Sequence, residues 1–175
     1  MPSPTLVAYS TRSGSTAEVA ESIASALREA GLSADLAPVG QVESLQGTTA
    51  LILGAPLYIG KFPKDFHQFL VRHRSALTLL RPWCFVLGPT QTKPADFEEA
   101  RKEAEREFAR YPWLQFADLQ VLGGRWDVKL LPFPFSLARR LPFCPLDKVP
   151  ASDIRDWNAI HVWSLAIAAQ IKHAA

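Results

Sequence analysis

Along the chain, short apolar runs alternate with longer stretches in which apolar residues recur every three or four positions. "TLVAYS" (residues 5–10) reads as a buried strand. In "TAEVAESIASALREAG", Val19, Ile23 and Leu27 stand four apart while Glu18, Glu21, Arg28 and Glu29 fall on other faces. That spacing predicts a helix, and Gly31 supplies its stop. "SADLAPV" (33–39) is a weaker strand, placed at a sheet edge because Pro38 has no N–H for a ladder. "TALILGA" (49–55) is a strong central strand. "FPKDFHQFLVRH" (62–73) gathers Phe62, Phe66, Phe69, Leu70 and His73 on one side of a helix, with Pro63 at its first position. "WCFVLG" (83–88) is a fourth strand. The stretch "ADFEEARKEAEREFARY" aligns Phe97, Ala100, Ala104, Phe108 and Tyr111 on one stripe, and "FADLQVLGG" (116–124) is a fifth strand. Ser152 is expected to cap a last helix in which Trp157, Ile160, Trp163, Ile167 and Ile171 share a face.

Strand and helix alternate five times. A parallel return needs a crossover, so the alternation predicts an α/β fold: a doubly wound five-stranded parallel sheet with helices on both faces. With no repeat and no linker, residues 1–175 are expected to form a single domain. Residues 125–150 fit no regular element and read as a long irregular insertion near the C-terminal strand. They hold five basic and two acidic residues, four aromatics and five prolines. Connections of that length in compact domains tend to be functional or mobile.

Composition narrows the classes without choosing among them. Hydrophobic residues make up 48% and charged residues 21%, a soluble globular balance. A net charge of +2 is too mild to argue for nucleic acid. The start lacks a signal-peptide pattern, and no apolar stretch approaches the roughly 20 residues that span a bilayer. Cys84 and Cys144 have neither CxxC nor metal-ligand spacing and read as thiols of a reducing compartment. The expected location is therefore the cytoplasm. His67, His73, His161 and His173 are scattered over predicted helices, so no catalytic residue is assigned and no metal site is expected.

The chemistry concentrates in "YSTRSGST" (9–16), which has five serine and threonine hydroxyls after the first strand. Ser15 and Glu18 have the S-x-x-E form of a capping box, which accounts for a helix start but leaves Ser10, Thr11 and Ser13 unexplained. A doubly wound sheet binds ligands beyond the carboxyl ends of its strands, where this turn lies. Helix N–H groups joined by hydroxyls there make a phosphate site with no need of a cation. Gly60-Lys61 is followed by Phe62, so the Walker pattern is absent, and Gly14 alone does not make a dinucleotide fingerprint.

A hydroxyl turn after strand one with aromatic loops after later strands resembles flavodoxin. More specifically, "YSTRSGST", "LILGAPLYIGKFPKDFHQFLVRH", "GGRW" and "RDWNAI" are similar, in order and spacing, to the bacterial flavodoxin-like protoporphyrinogen IX oxidases that use menaquinone. The resemblance implies FMN, with Ser10, Thr11, Arg12, Ser13, Gly14, Ser15 and Thr16 around its phosphate; Arg12 facing solvent is an equal reading. It implies a second flavin loop at Pro56, Leu57, Tyr58, Ile59 and Gly60. Gly60 there supplies a peptide free to turn over, and Tyr58 lies against the ring or packs on the surface. A third loop falls on Gly88, Pro89, Thr90 and Lys93. It lacks the aromatic that flavodoxins often place there, which leaves one flavin face open or leaves it to Trp126.

The reaction implied is dehydrogenation of a porphyrinogen with electrons passed to quinone. The alternative is a flavodoxin carrier that docks on redox protein partners, and a non-enzymatic binding module on the same fold comes third. Apolar residues interleaved with Arg125, Lys129, Arg139 and Arg140 suit peripheral contact with an anionic membrane or an acidic porphyrin. Packing of those aromatics on the domain or on a second subunit of a homo-oligomer is an equal competitor.

Overall fold

A computed structural model describes residues 5–127 and 150–174 of the chain. Five parallel strands form one sheet: β1 (Thr5–Tyr9), β2 (Ala34–Pro38), β3 (Ala50–Pro56), β4 (Trp83–Leu87) and β5 (Asp118–Leu122). Their order is β2-β1-β3-β4-β5, so the chain reverses its winding between β1 and β3. This is the flavodoxin-like doubly wound order, which opens a crevice at the carboxyl ends of those two strands.

Side-chain alternation along the strands sorts the core into two halves. Leu6 and Ala8 of β1, Leu51, Leu53 and Ala55 of β3, and Cys84 and Val86 of β4 face one side. They meet α2 (Lys64–Arg72), α3 (Arg74–Leu80) and α4 (Pro94–Phe108) through Phe66, Phe69, Leu70, Leu77, Ala104 and Phe108. Val7, Ile52, Phe85 and Leu87 face the other side. There α1 (Ser15–Glu29) and α5 (Trp157–Ala174) pack through Val19, Ile23, Leu27, Ile160 and Ile167. Both faces are thus covered, as parallel strands require. Burial pushes the Cys84 thiol far above its ordinary pKa, so it behaves as a small core hydrophobe.

Several local expectations hold in detail. Helix α1 ends where Gly31 adopts φ 84°, with Leu32 N–H donating to Leu27 O and Gly31 N–H to Arg28 O. That pair of bonds is the glycine-dependent stop. Strand β2 lies at the edge, and Pro38 pairs with Tyr9 at its end.

Others are corrected. Ser152 does not cap the last helix. It lies in β7 (Ser152–Asp153), which pairs antiparallel with β6 (Arg125–Trp126) as a small ribbon. The cap is Asp156, whose carboxylate accepts the Ala159 N–H at 2.9 Å. The Ser15–Glu18 capping box is also absent. Gly14 holds the cap position at φ 88° without a side-chain cap bond, because Ser15 is already the first helical residue. The segment 74–80 is a further helix that the period did not reveal, and α2 begins after Pro63 rather than on it. Of the insertion at 125–150, residues 128–149, with Lys129, Arg139, Arg140 and Cys144, lie outside the described residues.

Candidate functional site

The loops after β1, β3 and β4 leave the same end of the sheet, and the first two are joined side chain to side chain. Ser13 Oγ lies 3.5 Å from the Tyr58 hydroxyl, and the Arg12 guanidinium sits 5.6 Å from the Tyr58 ring centre. Tyr58 is accordingly half-buried and packed between loops, and Arg12, though exposed, is used as a cation over an aromatic ring.

The first loop has the makings of an anion cradle. No side chain caps α1, so its first-turn N–H groups keep no side-chain acceptor. Thr11 Oγ1 accepts the Gly14 N–H at 3.0 Å and so shapes the turn from within. A Cβ on Gly14 would meet nothing within 4 Å, so the space before the helix is open. Thr16 is fully buried, and its hydroxyl oxygen has no hydrogen-bond partner among the described residues. An orphaned hydroxyl at the second helical position is costly unless a ligand uses it. These features fit a phosphate group. Ser10 is committed differently: its hydroxyl donates to Asp65 at 2.8 Å, tying the first loop to the start of α2.

The second loop is a tight two-residue turn. Tyr58 and Lys61 exchange backbone bonds at 2.9 and 3.1 Å around Ile59 (φ 51°) and Gly60 (φ 70°). Glycine takes that conformation freely, but a β-branched residue is strained in it, and Ile59 recovers nothing by burial since it is 100% exposed. Pro56 ends β3, and the Leu57 N–H donates to Leu87 O, which fastens the loop to β4. On its far side Glu107 accepts the Phe62 N–H at 3.2 Å and pairs with His67 Nε2 at 2.9 Å. His67 Nδ1 in turn lies 2.6 Å from the Tyr111 hydroxyl. Burial raises the Tyr111 pKa, so its hydroxyl keeps its proton in this contact. This Glu–His–Tyr chain anchors the second loop to α4, a role the scattered histidines gave no sign of.

The third loop carries no aromatic side chain. Gln91, Thr92 and Lys93 are exposed, while Gly88 and Pro89 are tied inward: Gly88 N–H donates to Leu122 O, and Pro89 O accepts the Gly124 N–H at 2.6 Å. Thr90 O receives the Ser152 hydroxyl at 2.9 Å. The β6–β7 ribbon therefore docks on this loop and brings Trp126 beside it, with the Trp126 indole N–H buried and unpartnered among the described residues.

Arg155 joins the ribbon to the first turn of α1. It donates to Glu18 at 2.6 Å and to Asp153 at 2.6 Å, with its side chain 3% exposed. The Arg155 hydrogen bond holds the Asp153 carboxyl below the usual carboxylate range. The sequence marked "GGRW" and "RDWNAI" as motifs, but nothing in their spacing said that both reach the same carboxylate.

A switch-point crevice lined by a serine- and threonine-rich turn with an uncapped helix start defines an α/β protein suited to a phosphate-bearing ligand. The chain belongs to the flavodoxin domain family, whose model matches residues 6–134. FMN is its cofactor. Among curated proteins it is similar to the "Protoporphyrinogen IX dehydrogenase [quinone]" of Escherichia coli, 31% identical over 108 residues. That match covers 61% of this chain and 58% of the relative, so it spans little more than half of the relative's length. Among solved structures it is similar to oxidised Flavodoxin 2 from Bacillus cereus, with TM-score 0.62 and 18% identity over 95% of this chain and 98% of that one. A cysteine-to-serine mutant of the flavodoxin from Pseudomonas aeruginosa is similar too, with TM-score 0.58 and 15% identity over 96% and 98% of the two chains. At those identities the two structures speak for the fold.

Proposed function

We propose that this chain is an FMN oxidoreductase that dehydrogenates a porphyrinogen and delivers the electrons to a quinone. The observation that carries the reading is the 31% identity to the quinone-linked dehydrogenase of Escherichia coli. The third loop supports it, because an aromatic-free loop leaves room for a flat substrate on that side. When bound, FMN supplies the electron acceptor and donor for both half-reactions. The chain's own residues bind and orient it: Ser13, Ser15, Thr16 and the first-turn N–H groups of α1 hold the phosphate, and Tyr58, Ile59 and Gly60 border the ring. Trp126 flanks the open third-loop side. Work at the inner face of the cytoplasmic membrane, where quinone resides, belongs to the same proposal.

The second reading is an electron-carrier flavodoxin, suggested by membership of the flavodoxin domain family, whose model matches residues 6–134. One assay separates the two. FMN-loaded protein is mixed with protoporphyrinogen and a menaquinone analogue without oxygen, and porphyrin fluorescence is followed. Porphyrin formation that requires both protein and quinone is expected. Electron transfer to a redox protein with no porphyrin formed would assign the carrier role instead.

A further inference from the structure

Glu18 stands in the first turn of α1, four residues after Gly14, one turn from the N–H groups assigned to the phosphate. A carboxylate there suits a bare helix start, but it opposes a second anion bound at the same end. Its surroundings answer that conflict. Arg155 donates to Glu18 Oε2 at 2.6 Å and to the Ser15 carbonyl at 3.4 Å. Through Nε and its second terminal nitrogen it grips Asp153 at 2.8 and 2.6 Å, and its guanidinium lies 4.6 Å from the Trp157 ring centre. Arg125 adds a longer contact of 3.4 Å to Glu18 Oε1. Two carboxylates thus meet two guanidinium groups, and only Arg155 of the four is buried.

We propose that Arg155 is a positioning residue for the FMN phosphate: by neutralising Glu18 it lets the first turn of α1 accept a dianion. Its own bonds go to carboxylates and a carbonyl, none to a hydroxyl of the loop. The inference rests on reading residues 10–16 as the phosphate loop. It explains why a cradle without a cationic side chain on its inner surface tolerates an acid one turn away.

The test is titration of the full-length chain, freed of flavin, with FMN and with riboflavin, read by quenching of flavin fluorescence. Riboflavin lacks the phosphate and reports the ring site alone. Arg155→Met is expected to weaken FMN about tenfold while moving riboflavin less than about twofold. Adding Glu18→Gln to that variant removes the offending charge and restores most of the loss. Glu18→Gln alone tightens FMN about threefold and leaves riboflavin unchanged, and this arm stands even where Arg155→Met does not fold. Equal weakening of both flavins, or no restoration by Glu18→Gln, makes Arg155 a structural tie only and overturns the proposal. A wild-type chain with no preference for FMN over riboflavin defeats the phosphate-loop reading itself, which is a different result from a preference that survives Arg155→Met.

Discussion

Thr16 compresses the conflict between stability and binding into one atom. Its methyl fits the core under α1, while its hydroxyl oxygen is buried with no partner among the described residues. Valine has nearly the same shape and helix propensity, so Thr16→Val removes the orphan without opening a cavity. The cofactor-free protein is expected to gain about 1 kcal/mol of stability in urea unfolding. The same change should weaken FMN roughly tenfold in the fluorescence titration, since a donor to the phosphate is lost. A loss of stability together with unchanged affinity would mean that the hydroxyl has a partner within the fold. The residue type was legible at once, because a hydroxyl cluster after an apolar run is unusual. Its state was not: S-x-x-E spacing matches a capping box equally well, and only the position of Gly14 at φ 88° shows that Ser15 is already inside the helix.

At the scale of elements, what could be read was whatever a single segment decides for itself. The periods of α1, α4 and α5 and the apolar runs of β1, β3 and β4 each carry their own signal. The β6–β7 ribbon carries none, because each strand is two residues long and its partner is remote in the chain. What specifies it is contact: Gly124 N–H on Pro89 O, Ile154 N–H on Gly124 O, and a backbone approach at Gly123 too close for any side chain. A Cβ at Gly123 would fall 2.3 Å from the Ile154 carbonyl oxygen. Gly123→Ala should therefore push β7 off the third loop at a cost of about 2 kcal/mol. Native-state hydrogen exchange is the measurement that separates local from global damage. The Ile154 and Gly124 amides should exchange faster while the β1 and β3 amides stay protected. Uniform acceleration everywhere would place Gly123 in the common core instead.

For the whole molecule, the proposed cofactor site lies among three loops that leave three different strands, with the ribbon and Arg155 reaching back onto α1. Each of the three loops continues directly from a strand, β1, β3 or β4, whose side chains pack both halves of the core. Unfolding should therefore release FMN and both core halves in one transition, and bound FMN should stabilise the entire chain by mass action. At a free FMN concentration about 100 times the dissociation constant the gain is about 2.7 kcal/mol. For a chain of this length each kcal/mol shifts the midpoint by about 2–4 °C, so a rise of about 5–10 °C is expected in thermal scans. Stripping the flavin should return the midpoint to its lower value, and riboflavin at the same concentration should raise it less. The size of that difference measures how much of the binding comes through the phosphate end. A chain whose midpoint ignores FMN would mean that the three loops, though brought together by the sheet, do not act as one site.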